Sequence, residues 1–162
     1  MKFHYGMKKN KFLRITLILL PIFAFSFFVF NTQAANPGTI DATYNTAKFL
    51  DTANGTVNFK CTTGCNISIN NSAITGYAWG DIVGWINFNP SGNPGVQNNT
   101  SGVLSGHAWG QNAGWVNFAP TNGGVSINTT NGEFNGFAWS QNYGWLEFDC
   151  SAAGKTAGKC VK

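Results

Sequence analysis

Charged side chains are scarce in this sequence of 162 residues, which contains ten lysines and arginines, six aspartates and glutamates, and two histidines. It also lacks a serine–histidine–aspartate set, a nucleotide-binding glycine loop and a two-histidine metal motif. No sustained 3.6-residue apolar period follows residue 34, so long helices are not expected there. These absences argue against the enzyme classes that use such groups, and we predict no catalytic activity, no cofactor and no metal site.

The long apolar run of the sequence lies near its start, at residues 15–30. Five basic residues and no acidic residue precede it, and the small side chains of Thr32 and Ala34 follow at the positions that a signal peptidase reads. We therefore predict a signal peptide over residues 1–34, cleaved after Ala34, with Ala35 as the alternative. A retained membrane anchor is disfavoured because spanning a bilayer needs roughly 20 apolar residues.

Removal of that segment reverses the charge balance. Residues 35–162 contain five lysines, no arginine and six acidic residues, a formal charge of −1. The basic character of the whole chain therefore belongs to the predicted signal peptide and gives no support for nucleic-acid binding. We expect contact with a membrane only through this segment, during export.

A tandem repeat fills much of the remaining sequence. Residues 74–88, 104–118 and 134–148 align without a gap, 30 residues apart, on the pattern Gly-x-Ala-Trp-x-x-x-x-Gly-Trp-x-x-Phe. A period of this length indicates one supersecondary unit present three times. All six tryptophans of the chain occupy two positions of the unit: Trp79, Trp109 and Trp139 the first, Trp85, Trp115 and Trp145 the second.

A fourth, degenerate copy precedes these three. Residues 55–61 match residues 144–150, with Leu50 aligned to the first tryptophan and Thr56 to the second. Terminal units of repeat arrays are often atypical, because one face has no neighbour to pack against. The predicted organisation is a signal peptide (1–34), a linker (35–46), a capping hairpin (47–61) and a three-unit tryptophan-repeat domain (62–162).

Each unit is expected to form a β-hairpin with a four-residue loop, such as residues 141–144, that ends in a glycine with positive φ. This register pairs Trp139 with Leu146 and places both on one face of the hairpin with Phe148. We interpret that face as the core face, and the predicted core residues are Trp79, Trp109, Trp139, Phe88, Phe118 and Phe148.

The opposite face carries Trp85, Trp115 and Trp145 beside glycine and alanine. Exposed indoles can stack on sugar rings, and repeated weak sites gain avidity. These three tryptophans are therefore the candidate binding residues, with burial in the core as the alternative.

A short third strand is predicted between successive hairpins, at residues 66–70, 95–99 and 124–128. Residues 158–162 look like the start of another such strand, which either belongs to a longer array or closes this one. The sequence thus predicts an all-β fold of antiparallel hairpin or meander repeats, arranged as a β-prism or as a stack.

Four cysteines in a chain with a signal peptide suggest two disulfides. Cys61 and Cys150 occupy the same place in their units, and Cys65 and Cys160 each follow the next loop. We therefore predict the local pairs Cys61–Cys65 and Cys150–Cys160. The alternative is a four-cysteine zinc site, but the gap of nine residues between Cys150 and Cys160 does not match the usual spacing.

Few titratable residues suggest chemistry. His107 stands where the other units have Tyr77 and Phe137, which indicates an aromatic substitution. Glu147 and Asp149 suggest an acid–base pair for glycoside cleavage. However, the other units have asparagine at the Glu147 position, so hydrolysis is only a third alternative.

The repeated unit resembles tandem repeats of predicted exported proteins from uncultured bacteria with small genomes, over residues 36–162. The resemblance implies a secreted or cell-surface protein and carries no established activity, ligand or catalytic residue. We expect a non-catalytic structural or adhesion module, with a lectin-like carbohydrate-binding module as the alternative. Its partner would be a cell-surface glycan or another surface protein.

Overall fold

A computed structural model of the protein describes residues 38–51 and 55–162. The predicted all-β class is confirmed, and the predicted signal peptide lies outside the described residues. No helix in the described ranges has the length and apolar character needed to span a membrane. The elements are β1 (Gly38–Thr39), β2 (Thr46–Phe49), β3 (Thr56–Asn58), β4 (Ser68–Ile69), β5 (Ala73–Thr75), β6 (Tyr77–Gly80), β7 (Gly84–Asn87), β8 (Val96–Asn98), β9 (Leu104–Gly110), β10 (Gly114–Asn117), β11 (Gly124–Ile127), β12 (Phe134–Ser140), β13 (Gly144–Phe148) and α1 (Ala152–Thr156).

Eight of the strands form a closed antiparallel barrel. They follow one another around it in the order β2, β3, β6, β7, β9, β10, β12 and β13, and β13 pairs with β2 to close the ring. The barrel therefore consists of four hairpins, which we number from hairpin 1 (β2–β3) to hairpin 4 (β12–β13). Closure leaves no unpaired strand edge around the ring, which an open stack of hairpins would have.

Hairpin 1 is the degenerate copy of the repeat. It was predicted as a capping hairpin, and in the structure it lies between hairpins 4 and 2 as a full member of the ring. Its strands pair Lys48 with Thr56, as hairpin 4 pairs Trp139 with Trp145. Lys48, and not Leu50, therefore holds the first tryptophan position, whereas Thr56 holds the second as expected.

The observed hairpin register differs by one residue from the predicted one. Trp139 pairs with Trp145 and Ser140 with Gly144, so the loop contains three residues and Gly144 already belongs to the strand. The positive φ predicted for this glycine is present, at 73°. Because side chains alternate along a strand, a one-residue slip moves the whole set of side chains to the other face.

The assignment of the first tryptophans to the core was therefore wrong. Trp79, Trp109 and Trp139 are 36%, 43% and 41% exposed on the outside of the barrel. The inward positions next to them hold small side chains, and Ala78, Ala108 and Ala138 are fully buried. An eight-stranded barrel encloses a space just wide enough for side chains to fill, and here alanines and not indoles occupy these inward positions.

A ring of phenylalanines forms the centre of the core. The predicted core residues Phe88, Phe118 and Phe148 are all buried, and hairpin 1 adds Phe59. Successive ring centroids around this set of four lie 5.5–6.1 Å apart. Edge-to-face and tilted aromatic pairs each contribute about 0.5–1.5 kcal/mol beyond the area they bury. Each hairpin thus contributes one phenylalanine to a shared centre.

The predicted linking strands are present as β4, β8 and β11. Each pairs with the beginning of the strand that leads into the next hairpin. A glycine then bends that strand toward the barrel, and at Gly106 (φ 79°) a Cβ atom would collide with the carbonyl oxygen of Gly95. This close approach explains the glycine that opens each repeat.

The last residues of the chain supply the corresponding link for hairpin 1. Val161 bridges to Asn45, and its carbonyl accepts a hydrogen bond from the backbone N–H of Phe134 at 2.9 Å. Residues 158–162 thus connect hairpin 1 with the strand that begins hairpin 4.

Both predicted disulfides are present, Cys61–Cys65 between β3 and β4 and Cys150–Cys160 after β13. All four sulfurs are therefore bonded in pairs, which is incompatible with the four-cysteine zinc alternative. The second disulfide encloses α1, whose N-cap Ser151 accepts a hydrogen bond at Oγ from the backbone N–H of Gly154.

Candidate functional site

Six tryptophans form a belt on the outside of the barrel. They stand in three cross-strand pairs, Trp79 with Trp85, Trp109 with Trp115 and Trp139 with Trp145. In the first and third pairs the ring centroids are 4.9 and 5.0 Å apart, with the rings edge to face. We call these six residues the tryptophan belt.

The second tryptophan of each pair is braced by a further aromatic ring. Tyr77, His107 and Phe137 lie edge-on to Trp85, Trp115 and Trp145, with centroids 6.1–6.3 Å apart. The structure thus places His107 in the same role as a tyrosine and a phenylalanine.

Two indoles also rest on glycines of the linking loops. A Cβ atom at Gly64 would overlap the ring of Trp85, and one at Gly123 would overlap the ring of Trp145. Gly64 lies inside the Cys61–Cys65 disulfide loop, so this loop supports one end of the belt. These contacts hold the indoles in defined orientations.

The exposed area of the belt is large for a protein of this size. Five of the tryptophans are 36–43% exposed, and Trp145 is half-buried. Since one aromatic side chain offers roughly 150–250 Å², two-fifths exposure of five leaves roughly 300–500 Å² of aromatic surface in water. An apolar patch of this extent equals the largest one on a typical monomer, and such patches are often functional.

Two shallow grooves cross the belt where neighbouring hairpins meet. Groove A has Trp85 and Trp109 as walls and Asn87 between them, with Gln111 at its end. Groove B repeats this set one hairpin later with Trp115, Trp139, Asn117 and Gln141, and His107 and Asn93 also line it. The grooves have volumes of about 410 and 640 Å³, and neither is lined by a lysine, arginine, aspartate or glutamate.

The asparagine in each groove is held in place by its own turn. The Oδ1 atom of Asn87 accepts a hydrogen bond from the backbone N–H of Asn89, and that of Asn117 accepts one from Ala119, both at 2.9 Å. The Nδ2 amide group is then the polar end left to donate a hydrogen bond to a ligand. Sequence reasoning missed these two residues, although their recurrence at one outward repeat position was the available signal.

The junction between hairpins 4 and 1 differs in chemistry. Glu147 stands at the asparagine position, pairs across the strands with Lys48 and forms an ion pair with Lys159 at 2.9 Å. Beside it, Leu50, Phe137 and Trp145 line a separate apolar pocket of about 300 Å³. This junction lacks both the neutral amide and the second indole.

Glu147 and Asp149, the suggested acid–base pair, both lie close to the ammonium group of Lys159. The Nζ atom of Lys159 lies 2.9 Å from Glu147 Oε2 and 4.0 Å from Asp149 Oδ2. Hydrogen bonds from the backbone N–H and then the hydroxyl of Ser151 hold the pKa of Asp149 below its ordinary value. A carboxylate that is stabilised in its charged form is unsuited to donate a proton to a leaving group.

Comparison with protein-family models, with curated proteins and with solved structures finds no match for this chain.

Proposed function

We propose that the protein is an exported, non-catalytic adhesion module that uses the tryptophan belt as its contact surface. The exposure of the belt carries this proposal, because roughly 300–500 Å² of aromatic surface is held in water on three of the four hairpins. Tryptophan is among the residues that contribute most to binding energy at interfaces. The belt therefore has the composition of a recognition surface.

Export is the second part of the proposal. It is supported by the predicted signal peptide and by two disulfides, which are typical of oxidising compartments. A place among exported tandem-repeat proteins of bacteria, and a location outside the cell or on its surface, are proposed on the same grounds. The partner would then be a cell-surface glycan or another surface protein.

A carbohydrate-binding form of this function is favoured by grooves A and B. The negative face of an indole attracts the weakly positive C–H groups of a sugar ring, and an amide can hydrogen-bond to its hydroxyls. The lectin-like hypothesis rested on Trp85, Trp115 and Trp145 alone. In the structure the first tryptophans line the same grooves, so we include Trp109 and Trp139 among the binding residues.

Adhesion can be measured as the retention of the exported form of the chain on whole bacterial cells and on immobilised polysaccharides. We expect the double substitution Trp109→Ala and Trp115→Ala to reduce retention by about tenfold or more, since each lost interface tryptophan typically costs over 1 kcal/mol.

The matched control is Lys48→Ala with Thr56→Ala, which changes the same two positions on hairpin 1. Its retention should stay within about twofold of that of the unsubstituted protein. Equal retention by both double variants, with both folded, would show that the belt is not the contact surface.

A further inference from the structure

Grooves A and B are formed between hairpins and not within them. Groove A takes Trp85 and Asn87 from hairpin 2 and Trp109 from hairpin 3. Groove B takes Trp115 and Asn117 from hairpin 3 and Trp139 from hairpin 4. A complete groove therefore needs two adjacent units that both carry tryptophans.

The ring has four such junctions, and only two of them are complete. The corresponding positions are Trp85, Asn87 and Trp109 between hairpins 2 and 3; Trp115, Asn117 and Trp139 between 3 and 4; Trp145, Glu147 and Lys48 between 4 and 1; and Thr56, Asn58 and Trp79 between 1 and 2. Hairpin 1 thus removes one wall from each of the two junctions that it forms. Three tryptophan units consequently yield two grooves that share the same wall and asparagine positions.

The chemistry of the complete grooves indicates what they select. Their walls are indoles, their polar groups are the amides of asparagine and glutamine together with Tyr77 in groove A and His107 in groove B, and they lack acidic residues, lysine and arginine. Such a lining offers stacking surfaces and hydrogen-bonding groups but no lysine or arginine to neutralise an anion. An uncharged, hydroxyl-rich ring meets all of these features.

We propose that the protein binds a neutral hexose-based polysaccharide, with one segment in groove A and an equivalent segment in groove B. The inference rests on the adhesion function proposed above and specifies its ligand class and its number of sites. Because both sites lie on one rigid barrel, a polymer that carries many copies of the recognised unit binds more tightly than a short oligosaccharide. The junction that contains Glu147 takes no part.

The first experiment titrates the intact protein with neutral polymers (a glucan, a mannan and a galactan) and with alginate as the anionic comparison, and follows tryptophan fluorescence. We expect at least one neutral polymer to change the emission and alginate to leave it unchanged. Calorimetry with a tetrasaccharide of the bound polymer should then give two sites per chain. The polymer should bind about a hundredfold more tightly per chain than the tetrasaccharide.

Variants assign the sites. Trp109→Ala should lower the number of tetrasaccharide sites from two to one, whereas the control Lys48→Ala, at the same position of hairpin 1, should leave two. Asn87→Ala should likewise leave one site, with Asn58→Ala as its control. Asn58 accepts the same turn hydrogen bond, from Lys60, but lies in an incomplete junction.

Each other outcome overturns the inference. Three sites, of which one is lost in Trp145→Ala, would mean that the belt acts as three independent units. A single site, or binding of alginate as tight as that of a neutral polymer, would contradict the paired neutral grooves. If no neutral polymer binds but belt-dependent retention on cells persists, this inference fails and the adhesion function stands with a surface protein as partner. If neither binding of a neutral polymer nor belt-dependent retention on cells is observed, both this inference and the adhesion function are overturned.

Discussion

Hairpin 1 and the three tryptophan hairpins have similar residues facing the barrel core but different residues on the outer surface. Ala47, Val57 and Phe59 of hairpin 1 correspond in register to Ala138, Leu146 and Phe148 of hairpin 4, and all six are buried. On the outside, Lys48 and Thr56 replace the two indoles. A hairpin without tryptophan therefore closes the same barrel through the same kinds of inward contact. The hairpin therefore does not require tryptophan at these two positions, which agrees with the recognition role proposed above.

The largest expected effect on stability tests whether the core residues of hairpins 1 and 3 are equivalent. Phe118→Ala in hairpin 3 and Phe59→Ala in hairpin 1 should each lower the free energy of unfolding by about 3–5 kcal/mol, because each leaves a cavity in the shared aromatic ring. Urea denaturation followed by circular dichroism gives both values. A loss below about 1 kcal/mol for Phe59→Ala alone would mean that hairpin 1 is an accessory element and not a structural equal.

Substitution of an outward-facing residue should have a smaller effect on the free energy of unfolding. Trp109→Ala should cost about 1–2 kcal/mol, because 43% of the indole is already in water and the substitution removes only the burial of the remainder. Lys48→Ala, at the same position of hairpin 1, should stay within about 0.5 kcal/mol. The same denaturation experiment compares them. A loss of 3–5 kcal/mol for Trp109→Ala would restore a structural role for the belt.

The smallest effect concerns pH and should be confined to the charged side of the barrel. The Ser151 hydrogen bonds lower the pKa of Asp149 from 3.8 in the folded state. Stability from this carboxylate is therefore complete above the unfolded pKa and is lost as the pH falls through the lower, folded value. In Asp149→Asn, the melting temperature should fall less steeply with acidification below about pH 4 than in the unsubstituted protein. An unchanged acid limb would show that the turn contributes nothing.

Much of the fold follows from the sequence because the repeat supplies internal comparisons. The three aligned units predict the hairpins, the linking strands and the buried phenylalanines, and the equivalent positions of Cys61 and Cys150 predict the disulfides. The strand register of the hairpins does not follow from the sequence. Counting Gly144 in the loop or in the strand changes the pairing by one residue, and that single step decides whether Trp139 points in or out.

Closure and the grooves were beyond sequence reasoning for a related reason. Whether hairpins stack or close depends on the twist and stagger accumulated over eight strands, which no local pattern specifies. The connection between the strands of hairpin 1 is longer than in the other hairpins. For this reason the sequence alignment placed Leu50 at the position that Lys48 holds. Since each groove combines residues from two hairpins, it becomes visible only when the order of the hairpins around the ring is known.

Closure of the ring also determines the order in which the chain can fold. Partners within a hairpin, such as Trp109 and Trp115, are close in sequence, whereas Leu146 and Phe49 pair from positions about 100 residues apart. Closing that long loop costs conformational entropy before the pairing contributes any stabilisation. This pairing is therefore the slow step of folding. Hairpin 1 is synthesised first and must wait for hairpin 4, the last to be made. During that interval the outer edges of both hairpins are open to strands of other chains, and the time to closure sets the exposure to aggregation.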